Sequence, residues 1–282
     1  MTGRLYVVGL GFSGLEIARR AKAAGWEVAG SVTSEAKAAR LRADGIDAEL
    51  LSAGSARLRA ASHLVCTVAP DASGDPVLSQ VRHAPVRWFG YLSTTGVYGD
   101  RGGGWVDESD APNPGQARSR YRLAAEQEWQ VLGRKAGVPL AIFRLPAIYG
   151  PGRSALEQVL EGRAQCVDKP GQVFSRVHVD DIASAVLAAM SRNLGGIFNV
   201  CDDEPCAQYE VVALASKLLG RPAPKLVPWD VAAPKMSEMA RSFYAENRRV
   251  RNERLKRELG VVLRYPSYRE GLSAIAAQRK AP

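Results

Sequence analysis

Val7-Val8-Gly9-Leu10-Gly11-Phe12-Ser13-Gly14, almost at the start of the sequence, points to the class of fold. An apolar run from Leu5 to Val8 leads into it, and Leu15-Glu16-Ile17-Ala18-Arg19-Arg20 follows with helical spacing. Strand, glycine turn and helix in that order are the context a G-x-G-x-x-G pattern requires. Gly9 permits the tight turn, Gly11 lets the backbone approach a pyrophosphate, and Gly14 lets the helix pack closely on the strand, with free N–H groups at its start facing the phosphates. Without those flanks the run reads equally as an ordinary glycine-rich turn. With them, Gly9, Leu10, Gly11, Phe12, Ser13 and Gly14 become the first cofactor-binding candidates.

Working outward, strands alternate with helical segments. Strands are expected at Trp26–Val32, Ile46–Leu51, His63–Val68, Val86–Ser93 and Leu140–Arg144, with helices at Ser34–Ala43, Ala56–Ala61, Pro76–Arg82 and about Ala117–Ala136. That alternation implies a parallel sheet covered on both faces. Beyond Gly150 the pattern loosens. It holds a short helix at Ala155–Glu161, an extended segment at Gln172–Val179 and an Ala-rich helix at Asp180–Arg192. A strand at Gly196–Val200 and a helix at Gln208–Leu219 follow, and helical segments close the chain.

The length of 282 residues leaves ample room for a buried core. No apolar run reaches the roughly 18–20 residues that span a bilayer, and the first residues pass straight into a strand rather than a signal peptide, so a cytoplasmic, non-membrane protein is expected. Cys66, Cys166, Cys201 and Cys206 are scattered without a C-x-x-C pair, and His63, His83 and His178 have no ligand spacing, so no metal is expected. The net charge of +9 raises the question of nucleic acid. Its one dense run, Arg241–Arg257, has helical spacing with Glu253 and Glu258 interleaved, which reads as a solvated helix face. Anionic small molecules, beginning with a phosphorylated cofactor, explain the excess without nucleic acid.

Cofactor preference is set at the end of the second strand, where an NAD site usually carries Asp or Glu for the ribose hydroxyls. Ser31, Thr33 and Ser34 stand there, with Lys37 and Arg40 nearby and Glu35 the first acid. Small hydroxyls with bases suit a 2′-phosphate, so NADP is expected and NAD is the alternative. Ser34 is also a natural helix N-cap. At the end of the fourth strand Thr67, Val68, Ala69 and Pro70 are expected to touch the cofactor, since ligands of open sheets bind outside the carboxyl ends of the strands.

Further motifs follow in order: Ser93-Thr94-Thr95-Gly96-Val97-Tyr98-Gly99, Arg144-Leu145-Pro146-Ala147-Ile148-Tyr149-Gly150-Pro151-Gly152, Val177-His178-Val179-Asp180-Asp181, Phe198-Asn199-Val200, and Arg264-Tyr265-Pro266-Ser267-Tyr268 with Gly271-Leu272. Together with the glycine turn they resemble the extended short-chain dehydrogenases/reductases, the NAD(P)-dependent epimerase/dehydratase-like family. The resemblance spans nearly the whole chain. It implies an α/β fold with a doubly wound parallel (Rossmann) sheet over residues 1–150, with some later segments (about 172–200) returning to it. Residues 151–282 would then form most of a smaller C-terminal substrate lobe, and a homodimer would form through the helix that carries Tyr121. The family's usual first glycine is Val8 here.

The catalytic pattern departs further. The family's acid/base Tyr is followed four residues later by a Lys, which works because i and i+4 share a helix face and a cation favours phenolate. Thr94 sits where the family's Ser or Thr polarises the substrate oxygen. The helix, however, reads Arg118-Ser119-Arg120-Tyr121-Arg122-Leu123-Ala124-Ala125-Glu126, so the Tyr-x-x-x-Lys dyad is absent. If Tyr121 is the acid/base, its i+4 partner is Ala125. If Glu126 sets the register, the Tyr and Lys positions hold Arg118 and Arg122. Three accounts remain open: Tyr121 with a cation from Arg122, Arg118 or Arg120; another group, Tyr98 or the His178/Asp180/Asp181 cluster; or no redox chemistry, the fold being an NADP-binding sensor. The catalytic candidates are therefore Thr94, Tyr121 and Arg122. Thr95, Tyr98, Arg144, Tyr149, Arg153 and His178 are the candidate substrate contacts. Arg144 reads equally as a structural ion pair, and His178 as a structural histidine before a helix capped by Asp180 or Asp181. Gly102-Gly103-Gly104-Trp105 reads as a surface turn or a mobile cover. The expected activity is oxidoreduction at a carbonyl or hydroxyl of a small anionic metabolite, with nucleotide-sugar epimerisation or dehydration as the alternative.

Overall fold

The computed structural model describes residues 3–52 and 54–280. Leu5 and Val7 point to one face of the first strand and Tyr6 and Val8 to the other, and all four are buried. A strand apolar on both faces belongs inside a parallel sheet, and it lies in one. The sheet contains β1 (Arg4–Val8), β2 (Glu27–Val32), β3 (Asp47–Leu50), β4 (His63–Cys66), β5 (Phe89–Thr94), β6 (Leu140–Leu145) and β7 (Gly196–Asn199). Their spatial order is β7-β6-β5-β4-β1-β2-β3, every pair parallel. Strand order reverses between β1 and β4, the switch point at which open α/β sheets bind ligands.

Leu5, Val7, Val65, Leu92 and Phe143 form one core with Ile17 and Ala21 of the helix Phe12–Ala23 and Ile182 and Val186 of the helix Val179–Ser191. Tyr6, Val8, Leu64, Cys66, Tyr91 and Ile142 form the other, closed by Trp129 of the helix Ala117–Ala136. A third core, with Leu156, Val212, Tyr268, Leu272 and Ile275, holds the C-terminal helices Ala155–Leu160, Gln208–Leu218 and Tyr268–Lys280 together.

Several local expectations change. The basic run is not one helix. It is divided among a helix Glu238–Phe243, a strand Arg249–Val250 and a helix Glu253–Leu259. Many of its cations are internally engaged: Arg248 with Glu246, Arg254 and Arg257 with Glu258, Lys256 with Asp203. The strand Arg249–Val250 pairs with Trp105–Val106, and the N–H groups of Arg101 and Gly103 both donate to Asn247 O, at 2.9 and 3.0 Å. The glycine-rich loop is thus tied to the C-terminal lobe rather than free to swing. The Ala-rich helix is capped by His178, whose Nδ1 accepts from Asp180 N at 3.1 Å. Asp181 instead receives the N–H groups of Arg264 and Tyr265, because its buried carboxylate faces the chain returning from the lobe. No helix among the described residues is long and apolar enough to cross a membrane.

Candidate functional site

The glycine turn lies at the carboxyl end of β1, and its shape is over-determined. Gly9 has φ +93°, a left-handed conformation that L side chains rarely adopt. A Cβ there would also meet Thr67 Oγ1 at 2.7 Å. Gly9 N donates to Ser31 Oγ at 3.1 Å, Leu10 N donates to Ser31 O at 2.7 Å, and the Thr67 hydroxyl donates to Gly9 O at 2.6 Å. A Cβ on Gly14 would fall 2.1 Å from Gly9 O, so only glycine lets the helix start this close to the turn. Gly11 differs from both, because a Cβ there meets nothing within 4 Å. The first intrahelical bond runs from Leu15 N to Gly11 O at 2.9 Å, which leaves the N–H groups of Phe12, Ser13 and Gly14 at the head of the helix. Open space at Gly11 beside unpaired amides at a helix N-terminus is what a pyrophosphate needs, so these residues fit the dinucleotide that the sequence implies.

Around this turn, Ser31 and Thr67 act as braces. Thr33 and Ser34 are exposed at the end of β2, Ser34 capping its helix by accepting from Lys37 N at 3.4 Å. Lys37 and Arg40 have no ion-pair partner among the described residues. Val68 is half-buried beside Gly9, followed by exposed Ala69 and half-buried Pro70. Arg153 lies with its guanidinium 5.4 Å from the centroid of the Phe12 ring, which places it at the glycine turn.

A cleft of about 170 Å³ opens at the carboxyl ends of β5 and β6, between the sheet and the C-terminal lobe. Thr94, Thr95, Arg118, Ser119, Glu246 and Arg248 contribute its polar walls, and Phe174, Phe243 and Val250 its apolar ones. Thr94 Oγ1 accepts from Gly96 N at 3.1 Å, which leaves its own proton free to donate. Arg118 stacks over the Phe243 ring at 4.4 Å and has no carboxylate partner among the described residues. A hollow of about 560 Å³ near Gly133, Gly137 and Leu140 lies at the amino end of β6, away from this chemistry.

Tyr121 is half-buried on the same helix and is not among the residues that line the cleft; Arg118 and Ser119 are. Arg122 points to the strand ends, donating from Nη1 to Val68 O, Tyr91 Oη and Leu92 O at 3.1, 3.1 and 2.9 Å. It therefore joins the ends of β4 and β5 beneath the site. Four of the six candidate substrate contacts lie in the core instead. Arg144 is 2% exposed and gives Glu126 two bonds, 3.1 and 2.8 Å long, with Ser93 completing the carboxylate's shell. It is a structural ion pair and cannot clamp substrate. Tyr98 is fully buried beneath Arg144, and its hydroxyl donates to Asn199 Oδ1 at 2.8 Å. Burial pushes its pKa up to about 12 despite the nearby Arg144 charge, which does not suit an acid/base. Tyr149 is buried and donates to Ser267 O at 3.3 Å. His178 is 2% exposed, and burial holds its pKa down at about 4, so it is neutral. Thr95 alone of the six lines the cleft, and it is itself largely buried.

Glu246 and Arg248 carry no motif, and their one distinguishing mark in the sequence is membership in a basic run. Among the described residues no group of three or more His, Cys, Asp or Glu side chains is arranged to hold a metal ion, and all four cysteines are buried free thiols.

Similarity to known proteins agrees with this architecture. Residues 72–201 match the NAD dependent epimerase/dehydratase family. A solved structure of a functionally unknown conserved protein from Silicibacter pomeroyi DSS is 44% identical and superposes with a TM-score of 0.90, covering 99% of this chain and 100% of that one. The 3-diazoavenalumate denitrifying reductase of a Streptomyces species is 29% identical over 246 residues, 84% of this chain and 71% of its own. Protein YeeZ of Escherichia coli strain K12 is 29% identical over 243 residues, 79% and 86% of the two chains.

Proposed function

Since the chain belongs to the NAD dependent epimerase/dehydratase family, whose members bind NAD(P), we propose that it is an NADP-dependent oxidoreductase acting on a carbonyl or hydroxyl group of a small anionic metabolite. The observation that carries this reading is Arg118, a cation without a carboxylate partner, in the wall of a cleft that also holds the Thr94 hydroxyl. A volume of about 170 Å³ is smaller than the roughly 300–1,000 Å³ of pockets for drug-sized ligands. It suits a small metabolite better than a nucleotide sugar. The reductase name of the Streptomyces relative supports the same choice.

Gly9 to Gly14 hold the diphosphate on backbone N–H groups, and Arg153 adds a cation beside them. Thr33, Ser34, Lys37 and Arg40 receive the 2′-phosphate, which favours NADP over NAD. The nicotinamide, when bound, supplies or accepts hydride. Thr94 donates a hydrogen bond to the reacting oxygen, and the proton that balances the hydride is exchanged with solvent, to which the cleft opens. Arg118 holds the substrate's anionic group with paired N–H donors, a role a guanidinium performs without titrating. Arg122 fixes the ends of β4 and β5, between which cofactor and substrate meet. Tyr121 lies outside this arrangement, which favours Thr94 and Arg118 at the substrate.

Calorimetry with NADPH and NADH, followed by loss of 340 nm absorbance with paired carbonyl substrates, tests this reading. NADPH is expected to bind the tighter, and carbonyls bearing a carboxylate to turn over where their neutral amides do not. Equal turnover of the amides would remove the anion from the reading. NADPH binding with no turnover of any carbonyl would remove the catalysis and leave a nucleotide sensor.

A further inference from the structure

Glu246 is the feature of the cleft that this reading does not use. Its side chain is 10% exposed, and Oε2 accepts from Arg248 Nη1 at 2.8 Å. Oε1 is buried and has no hydrogen-bond partner among the described residues. The residue nevertheless lines the cleft with Arg118 and Thr94. Its position is built rather than incidental. Gln172 Nε2 donates to Glu246 O at 3.0 Å, while the next residue, Asn247, donates its N–H to Asp100 Oδ1 at 2.8 Å and its side-chain amide to Gly171 O at 2.9 Å. Both lobes thus grip the backbone that presents the carboxylate. Gly115 lies against the same oxygen: a Cβ there would come within 3.0 Å of Oε1. A buried carboxylate oxygen without a donor is costly, more so because it is charged, and an acceptor of this kind in a binding cleft is matched by a donor on the ligand.

We propose that Glu246 Oε1 is a specificity-determining acceptor for a hydrogen-bond donor on the substrate. The ligand class is then a small acid whose anionic group meets Arg118 and whose neighbouring hydroxyl or ammonium meets Glu246. Arg248 occupies the second oxygen, leaving Oε1 as the carboxylate's unpaired acceptor. This inference rests on the anionic-substrate reading above and adds the second contact.

The test uses the full chain with saturating NADPH and three probes that differ only at C2: propionate, lactate and alanine, measured by ligand-observed NMR titration. Wild type is expected to hold lactate or alanine about ten- to a hundredfold more tightly than propionate, the range for hydrogen bonds to charged groups. Glu246→Ala removes that preference and leaves propionate unchanged. Glu246→Gln separates the two donors: it keeps an acceptor for lactate's hydroxyl but loses the charge that favours alanine's ammonium. NADPH affinity and the thermal midpoint report whether each variant has folded. If propionate binding depends on Arg118 but Glu246→Ala leaves the three-way ranking unchanged, this inference is overturned and the anionic-substrate reading stands. If no probe binds in a manner abolished by Arg118→Ala, both fall together.

Discussion

Asp202 sets a pH dependence of stability that the fold makes unusual. It lies 2% exposed, directly after the buried Cys201, and neither carboxylate oxygen has a hydrogen-bond partner among the described residues. Burial pushes its pKa up to about 8, the Arg176 charge offsetting only part of the effect. In the unfolded chain the same carboxyl ionises near pH 3.9. Between about pH 4 and 8 the native state therefore holds one more proton than the unfolded state, and stability falls as pH rises, by about 1.4 kcal/mol per unit. His63 and His178 act in the opposite sense. Burial lowers each to about 4, against about 6.5 unfolded, so they reduce stability only as pH falls below about 6.5. Stability should then peak near pH 6.5 and decline by about 1 kcal/mol by pH 8, the alkaline limb belonging to Asp202. Asp202→Asn has nearly the same shape and does not titrate. Urea unfolding followed by circular dichroism, in half-unit steps from pH 6 to 8, should show that limb in the wild type, whereas the variant, left with the two histidines, should gain stability up to about pH 7.5 and then level off. A wild type flat above pH 6.5, or an Asn variant that keeps the slope, refutes the reasoning.

Four other substitutions have defined outcomes. Gly11→Asp places a carboxylate in the open space above the helix amides, where nothing blocks its Cβ, so the thermal midpoint should hold while NADPH affinity by calorimetry falls at least about a hundredfold, as expected for a buried like charge against phosphate. Arg118→Ala should raise KM for carboxylated carbonyls by about ten- to a hundredfold, the worth of a charge-assisted contact, whereas Tyr121→Phe should change kcat/KM by less than about twofold because Tyr121 does not line the cleft. Glu126→Ala leaves the buried Arg144 guanidinium without its carboxylate and should cost about 3–5 kcal/mol in denaturant unfolding.

What could be read from the sequence was whatever is decided within a few residues. The glycine turn is such a case, because the φ of Gly9 and the close approach at Gly14 are properties of a single β–α unit. The ends of β4 and β5 were legible for the same reason: turn residues after an apolar run mark a strand's carboxyl end. The side chains at those ends were not. Arg144, Tyr98, Tyr149 and His178 have the composition of a polar site, and nothing in their neighbours tells whether they face a cleft or the core. That depends on Glu126, 18 residues from Arg144, and on Asn199, 101 residues from Tyr98. A basic run likewise reads as one amphipathic helix until Asp203 and Gly103 claim its cations from other elements.

The helix Ala117–Ala136 shows what the distant contacts add. Arg118, Arg122 and Glu126 stand four residues apart and so share one face, and the three are held in quite different surroundings. Glu126 is fixed by Arg144 in the core, and Arg122 by three oxygens at the strand ends. Arg118, the last of the row toward the lobe, has only an aromatic ring against it. Two polar residues anchored along one face fix the rotation of the helix, and the third, exposed, stands on the side of the cleft. The register that places Arg118 and Arg122 on this face is thereby favoured over the one built on Tyr121. The substrate's anionic group would then meet a permanent cation, and its reacting oxygen a threonine hydroxyl rather than a phenol. Tyr121→Phe should therefore leave the shape of the kcat–pH profile unchanged, and a limb of that profile lost in Tyr121→Phe would restore the phenol to the centre.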